Sequence, residues 1–159
     1  MRFWRRESAN FLVGAIVVLL VAVGGWFIWT HLPAKTMVRI ESAAYQVDIA
    51  YTADERDNNL RDVKEIGVNG GLLLVYPRSD RWKISMENIM PRIDIIWMDE
   101  SHKVVYIVRD AEQSEERNVT FVPTQKALYV LEVPAGSAKR SGVKVGSVAV
   151  LNIDEERIK

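Results

Sequence analysis

Cysteine is absent from the 159 residues. That removes disulfides, thiolate catalysis and zinc–thiolate sites together, so packing and hydrogen bonds must hold any folded part. Histidine is nearly absent too, with His31 and His102 far apart and no HExxH or paired-histidine spacing. No strained nucleophile elbow is present around which serine, His102 and an aspartate could assemble. Gly70-Gly71 leads into an apolar run of strand character rather than a helix, so it does not make a phosphate loop. Asp99-Glu100-Ser101-His102 lacks the spaced ligands of a calcium loop. Charge of one sign is not in excess, with 21 basic and 21 acidic residues. No basic stretch interleaved with aromatics suggests a nucleic acid partner. No cofactor is expected, and no internal repeat or low-complexity tract occurs.

One long apolar run stands against these absences. Phe11 to Trp29 carries no charge, and about 20 residues of helix cross a bilayer's hydrocarbon layer. Arg2, Arg5 and Arg6 precede it, whereas only Lys35 and Arg39 lie close behind. Basic residues at a first span stay cytoplasmic. Phe3 and Trp4 flank one end and Trp26, Phe27 and Trp29 the other, as interfacial aromatics do. A cleaved signal peptide fits less well. Its apolar region would be about 7–15 residues, and Leu32 stands where a small residue should precede a cut after Ala34. No Gly-xxx-Gly pair marks a helix-pairing face.

The sequence therefore predicts residues 1–10 in the cytoplasm, 11–32 as an anchor in the lipid bilayer and 33–36 as a linker. A domain over 37–153 follows outside, ending in a charged tail at 154–159. Taking Arg2, Arg5, Arg6, Lys35 and Glu7 out of the charge count leaves the tethered part at about −3, an ordinary soluble surface.

Within that domain, Tyr45 to Tyr51 alternates apolar and polar, the period of a half-buried strand. Thr52 with Glu55 reads as a capping box opening a helix through Val63. Asn69-Gly70-Gly71 turns into Leu72-Leu73-Leu74-Val75-Tyr76, an apolar and hence central strand, and Pro77 to Asp80 is expected to turn the chain. Ile93–Met98 and Lys103–Val108 read as a hairpin, and 110–118 as a charged loop. Ala127–Val133 is another strand. Ala138–Ser141 makes one helical turn stopped by Gly142, and Ser147–Ile153 is the last strand. The expectation is a mainly β (α+β) domain. It would be a small curved sheet or barrel with one or two short helices, behind one N-terminal transmembrane helix.

This order of elements resembles the DUF192 (UPF0127) family from about Tyr45 to Asn152. The resemblance rests on Thr52-x-x-Glu55-Arg56, on Gly71 to Tyr76, on SMENIMPRIDIIWMD from Ser85 to Asp99, and on ALYVLEVPAGSAKRSGVKVGS from Ala127 to Ser147. Met86, Asn88 and Asp94 fall on the W-M-K-N-T-x-I-P-L-D pattern, and Leu131, Glu132, Pro134, Ala135 and Gly136 on A-x-x-V-L-E-x-P-A-G. Ser85 stands where that pattern has an aromatic, Glu87 where it has a basic residue, and Asn59 where the helix usually has glycine. Pro91 comes one place early, and Ser147 replaces a Gly-Asp turn. The resemblance implies a compact β-rich fold, often behind a signal or anchor, and no established reaction.

Met86, Asn88, Asp94, Glu132 and Gly136 are the candidate ligand-binding residues. Glu87 or Asp94 could act as a base and Asn88 as a donor. Asn88 and Asp94 could equally tie loops to backbone amides. Glu55 and Arg56 could hold an anion, but such a pair more often caps a helix and packs its stem. Glu132 could be a buried carboxyl with a raised pKa, although strand alternation with Leu131 and Val133 points it towards solvent. Two functions follow. One is a tethered module that binds an envelope component or a protein partner. The other is an envelope hydrolase of saccharide or peptide with two of Glu87, Asp94 and Glu132 in one cleft. Trp82 or Trp97 beside such a cleft would favour sugar stacking.

Overall fold

The structure is a computed structural model and describes residues 17–21, 23, 36–61, 63–114 and 119–153. The chain forms two compact units, Met1–Ala34 and Lys35–Lys159. In the first, residues 17–21 and 23 are helical and exposed, and the rest of the expected 11–32 span lies outside the described residues. Among the described residues no helix is long and apolar enough to cross a membrane.

The second unit is mainly β. Its strands are β1 (Thr36–Ile40), β2 (Ala43–Ala50), β3 (Gly70–Asp80), β4 (Ile84–Ser85), β5 (Ile93–Met98), β6 (Val104–Ala111), β7 (Thr120–Phe121), β8 (Ala127–Pro134) and β9 (Ala149–Leu151). Two short helices, α1 (Ala53–Asn58) and α2 (Ser137–Arg140), complete it. Seven strands form one sheet in the order β6-β5-β8-β3-β2-β1-β9, and β4 and β7 pair as a separate ribbon. Among the described residues only β2 and β3 run parallel, because α1 and its following loop carry the chain back between them.

The large sheet curls until its edges meet at one end. Val104 N–H donates to Ser147 (2.8 Å), Gly146 N–H to Val104 (2.8 Å) and Ala149 N–H to His102 (2.9 Å). These bonds join the start of β6 to the run before β9 and remove that part of both edges, as closure does. Curling makes one face concave. Val38, Tyr45, Val47, Leu73, Val75, Ile96, Met98, Tyr129, Leu131 and Val133 fill it. Helix α2 adds Ala138, and Val143 follows it into that core. The α2 terminus is a Schellman motif: Val143 N–H donates to Ala138 and Gly142, at φ +74°, to Lys139.

The convex face is covered as well. Leu72, Leu74, Tyr76, Ile95, Trp97 and Val130 pack beneath Leu60, Ile84, Met86 and Ile89. This second layer explains why β5 is buried along its whole length. A strand covered on both faces reads as a continuous apolar run rather than an alternation.

Two local expectations are corrected. The helix expected to run through Val63 ends at Asn58, since Asn59 takes φ +46° and breaks the helical dihedrals. Pro77 to Asp80 does not turn the chain, because β3 continues to Asp80. The β3–β8 register shifts between Val75 and Asp80, and such an irregularity is where a strand tolerates a proline without an N–H to give. The β9 strand is shorter than expected, and residues 115–118 of the charged loop lie outside the described residues.

Gly71 sits where β3 passes β8. A Cβ there would lie 2.5 Å from the Glu132 carbonyl oxygen and 3.2 Å from a Val133 methyl. The paired strand β8 supplies both atoms, one of them backbone, so the backbone would have to move. Gly71→Ala is expected to lower stability by about 1–3 kcal/mol, read as a lower urea midpoint.

Candidate functional site

The sequence-derived candidates separate into three places. Asp94 is fully buried, and both its oxygens are occupied by backbone donors. Oδ1 accepts from Asp110 N–H (2.9 Å) and Gly136 N–H (3.1 Å), and Oδ2 accepts from Ala138 N–H (2.8 Å). One carboxylate thus ties β5 to β6 and to the start of α2. Asp110 itself has φ +58° and Gly136 φ +79°, so the clamp holds two left-handed residues in place. This is the loop-fastening role. Met86 is a core residue at 1% exposure. Asn88 is exposed and has φ +60° in a turn closed by Ile89 N–H donating to Met86.

Glu132 lies elsewhere. Alternation holds along β8, with Leu131 and Val133 in the concave core and Glu132 facing the other way. That other side is not solvent, since the outer layer covers it and Glu132 is fully buried. The expectation of a solvated carboxylate fails because both sheet faces carry a core. Neither Glu132 oxygen has a hydrogen-bond partner among the described residues, nor does the Asn59 side-chain oxygen. Desolvation pushes the Glu132 carboxyl up from 4.5 to about 8. The nearby Asn59 side chain acts in the opposite direction but more weakly. Glu132 therefore holds its proton at neutral pH. Burial first, and the Glu132 carboxylate second, also push the Tyr76 hydroxyl above the usual tyrosine range, with Arg56 pulling it back.

Asn59 and Tyr76 face this buried acid from one side and line a cleft of about 550 Å³ from the other. One wall comes from α1 and the residues after it: Ala53, Arg56, Asp57, Asn59 and Arg61. The opposite wall is the β4–β7 ribbon with its approach, Trp82, Lys83, Ile84, Ser85, Glu87 and Thr120. Tyr76 of β3 lies between them.

Local chemistry sets these walls. The expected capping box is formed: Glu55 N–H donates to Thr52 Oγ1 (3.2 Å), and Glu55 Oε2 accepts from the N–H groups of Tyr51 (2.8 Å) and Thr52 (2.9 Å). Arg56 donates to the carbonyls of Tyr51 and Val75, the latter at 2.9 Å, and its guanidinium lies 4.9 Å from the Tyr76 ring centre. These bonds pin α1 to β3. Trp82 stacks on Tyr76 at 4.3 Å and 10°. Its indole N–H donates to Arg78 (3.0 Å), and its own carbonyl accepts from the Trp97 indole (2.9 Å). Trp97 is fully buried, so Trp82 alone of the two tryptophans reaches the cleft.

Of the three carboxylates considered for catalysis, Glu87 alone lines the cleft. Asp94 is consumed by amides and Glu132 is sealed behind Tyr76 and Asn59. Among the described residues no group of three histidine, aspartate or glutamate side chains is placed to hold a metal. From sequence Trp82 is named as an aromatic that could border a cleft, whereas Arg61, Lys83 and Asp57 are not singled out as site residues, and no motif spacing relates them.

A family model for DUF192, "Uncharacterized ACR", matches residues 36–151. The chain belongs to the DUF192 family. The UPF0127 protein of Thermococcus kodakarensis is 30% identical over 116 residues, covering 72% of this chain and 69% of that one. That of Thermococcus gammatolerans is 28% identical over 115 residues, 71% of each. Among solved structures, a candidate transcription regulator from Sinorhizobium meliloti superposes with a TM-score of 0.68 at 22% identity, over 74% of this chain and 94% of that one. A protein of unknown function from Novosphingobium aromaticivorans gives 0.66 at 23% identity, over 72% and 83%. At these identities the superpositions establish the fold alone. Three departures from the family pattern, Asn59, Ser85 and Glu87, all fall on the cleft lining of this DUF192 domain.

Proposed function

We propose that this DUF192 protein is a membrane-tethered extracytoplasmic binding module whose small ligand occupies the cleft between α1 and the β4–β7 ribbon. The carrying observation is the cleft itself. Its volume of about 550 Å³ falls in the range of small-molecule sites, and it combines a fixed aromatic pair with polar side chains from separate segments. The uncharged Phe11–Trp29 run behind Arg2, Arg5 and Arg6 supports the tether and its direction. Hydrolysis by a carboxylate pair draws no support from Glu87, Asp94 and Glu132, which do not share the cleft.

Two measurements test this reading. A reporter fused after Lys159 should be active only outside the cytoplasm, and the protein should resist alkaline extraction from membranes. Cytoplasmic activity or free solubility overturns the tether. A photo-crosslinking residue at Lys83 should label an envelope component, whereas one at the exposed Met90, which is not part of the cleft lining, should not. Equal labelling from both positions, or none from Lys83, overturns the binding module.

A further inference from the structure

We propose that Glu132 and Asn59 form a proton-operated gate beneath the cleft. While Glu132 is protonated the Asn59 turn stays seated over it; once the proton passes to bulk water, the end of α1 lifts and water enters from the cleft. The gate rests on the fold and does not require the binding-module reading. Three buried side-chain oxygens lie here without a hydrogen-bond partner among the described residues, both of Glu132 and that of Asn59. The cross-strand neighbours of Glu132 are Leu72 and Ile95, and the covering layer brings Leu60, Ile84, Met86 and Ile89, all apolar. Tyr76 of β3 is the titratable group that Glu132 influences, and Arg56 and Asp57 act on the same hydroxyl from α1. A neutral acid is tolerated in such surroundings. An ionised one needs donors, and water is their source.

Asn59 and Tyr76 stand between this acid and the cleft. Tyr76 belongs to β3, a central strand of the sheet. Asn59 instead follows a helix of six residues with no buried side chain, too short to hold its shape alone. Arg56 ties that helix to the Val75 carbonyl at 2.9 Å, and the buried Leu60 anchors the chain beyond it. Between these anchors Asn59 takes φ +46° and ψ −135°, a costly conformation for a residue with a Cβ. The family pattern has glycine at this place. Lifting the turn relieves that strain and opens the shortest way to water. It also changes the cleft, whose lining sets Arg56, Arg61 and Lys83 against Asp57 and Glu87, by adding a third carboxylate.

Water-exchange NMR on the full chain in detergent micelles tests the gate. It is read at the N–H groups of Asn59 and Arg61, which donate to the Glu55 and Asn58 carbonyls (both 3.1 Å). Opening that ionises a buried acid grows by up to about tenfold per pH unit, until the acid ionises in the closed state as well. Between about pH 6 and pH 8 both groups should lose at least about tenfold in protection, after correction for the chemical rate, and in Glu132→Gln less than about twofold. At pH 8, low urea should leave these rates unchanged while accelerating Leu73 and Ile96, because a local opening exposes little surface. The Glu132 Cδ resonance of the wild-type chain should titrate where the loss of protection levels off, near pH 8, a readout that needs no variant. Constant protection in the wild type overturns the gate, as does an equal loss in Glu132→Gln. So does a Cδ shift already complete at pH 6, or an equal urea dependence at Asn59 and Leu73, which marks unfolding of the whole domain.

Discussion

The native domain is expected to lose stability between about pH 5 and pH 8, and Glu132→Gln should remove most of that loss. In the unfolded chain this carboxyl ionises near its ordinary value of 4.5, whereas the folded domain holds the proton to about 8. Between those values the native state binds more protons than the unfolded state, so stability decreases as pH rises. The contribution is fully present below pH 4.5 and lost once pH passes about 8. A shift of that size corresponds to roughly 5 kcal/mol as an upper bound, at about 1.4 kcal/mol per unit. Glutamine cannot ionise and has nearly the same shape. The variant should match the native domain at pH 4.5 and exceed it by several kcal/mol at pH 8. Urea midpoints at five pH values decide the matter, and because other titrating groups are shared, the difference between the two curves isolates Glu132. Parallel curves would mean that the folded domain stabilises a charged Glu132 after all.

Asp94→Ala is expected to cost about 3–5 kcal/mol. Three backbone N–H groups, of Asp110, Gly136 and Ala138, lose their acceptor at once, and no solvent replaces it because Asp94 is fully buried. Asp94→Asn should fall between, since an amide keeps one accepting oxygen and turns an NH2 towards donors. Denaturant midpoints measure the loss, and hydrogen exchange locates it: Asp110, Gly136 and Ala138 should exchange faster in both variants, while Leu73 and Ile96 should change only as far as global stability requires. Wild-type stability in Asp94→Ala would refute the clamp. The result also separates roles, because Asp94 lies away from the cleft and Asp94→Asn should leave any cleft ligand bound wherever the domain remains folded.

Much of the fold was legible because its signals are local. The capping box at Thr52 and Glu55 needs only a hydroxyl and a carboxylate three residues apart. The β5–β6 hairpin follows from two apolar runs around Asp99, whose side chain accepts from Ser101 and Lys103 N–H groups. Gly142 ends α2 because a left-handed residue closes the Schellman pair. Pro77 misled because proline signals a turn in isolation, and whether a strand survives it depends on the partner strand.

The candidate site was legible only in part. The 85–99 segment and the Leu131–Gly136 motif carry the resemblance to the family, but their members do different work. Asp94 and Gly136 meet through one hydrogen bond of 3.1 Å, Met86 fills the outer core, and Asn88 sits in an exposed turn. The cleft takes residues near 56, 76, 82 and 120. No spacing in the chain relates these positions, since they meet only when α1 and the ribbon close over the same sheet face.

The amino-acid pattern alone determined that a cysteine-free, mainly β domain follows a long uncharged apolar run, because strand periodicity, caps and turn residues are short-range chemistry. Tertiary structure alone decided that the sheet has two buried faces, that Glu132 is a protonated acid rather than a solvated one, and that Trp82 borders a cleft. Alternation says which residues share a face. What lies over that face is set by segments tens of residues away, and burial, which governs both the proton on Glu132 and the shape of the cleft, belongs to that covering and not to the strand.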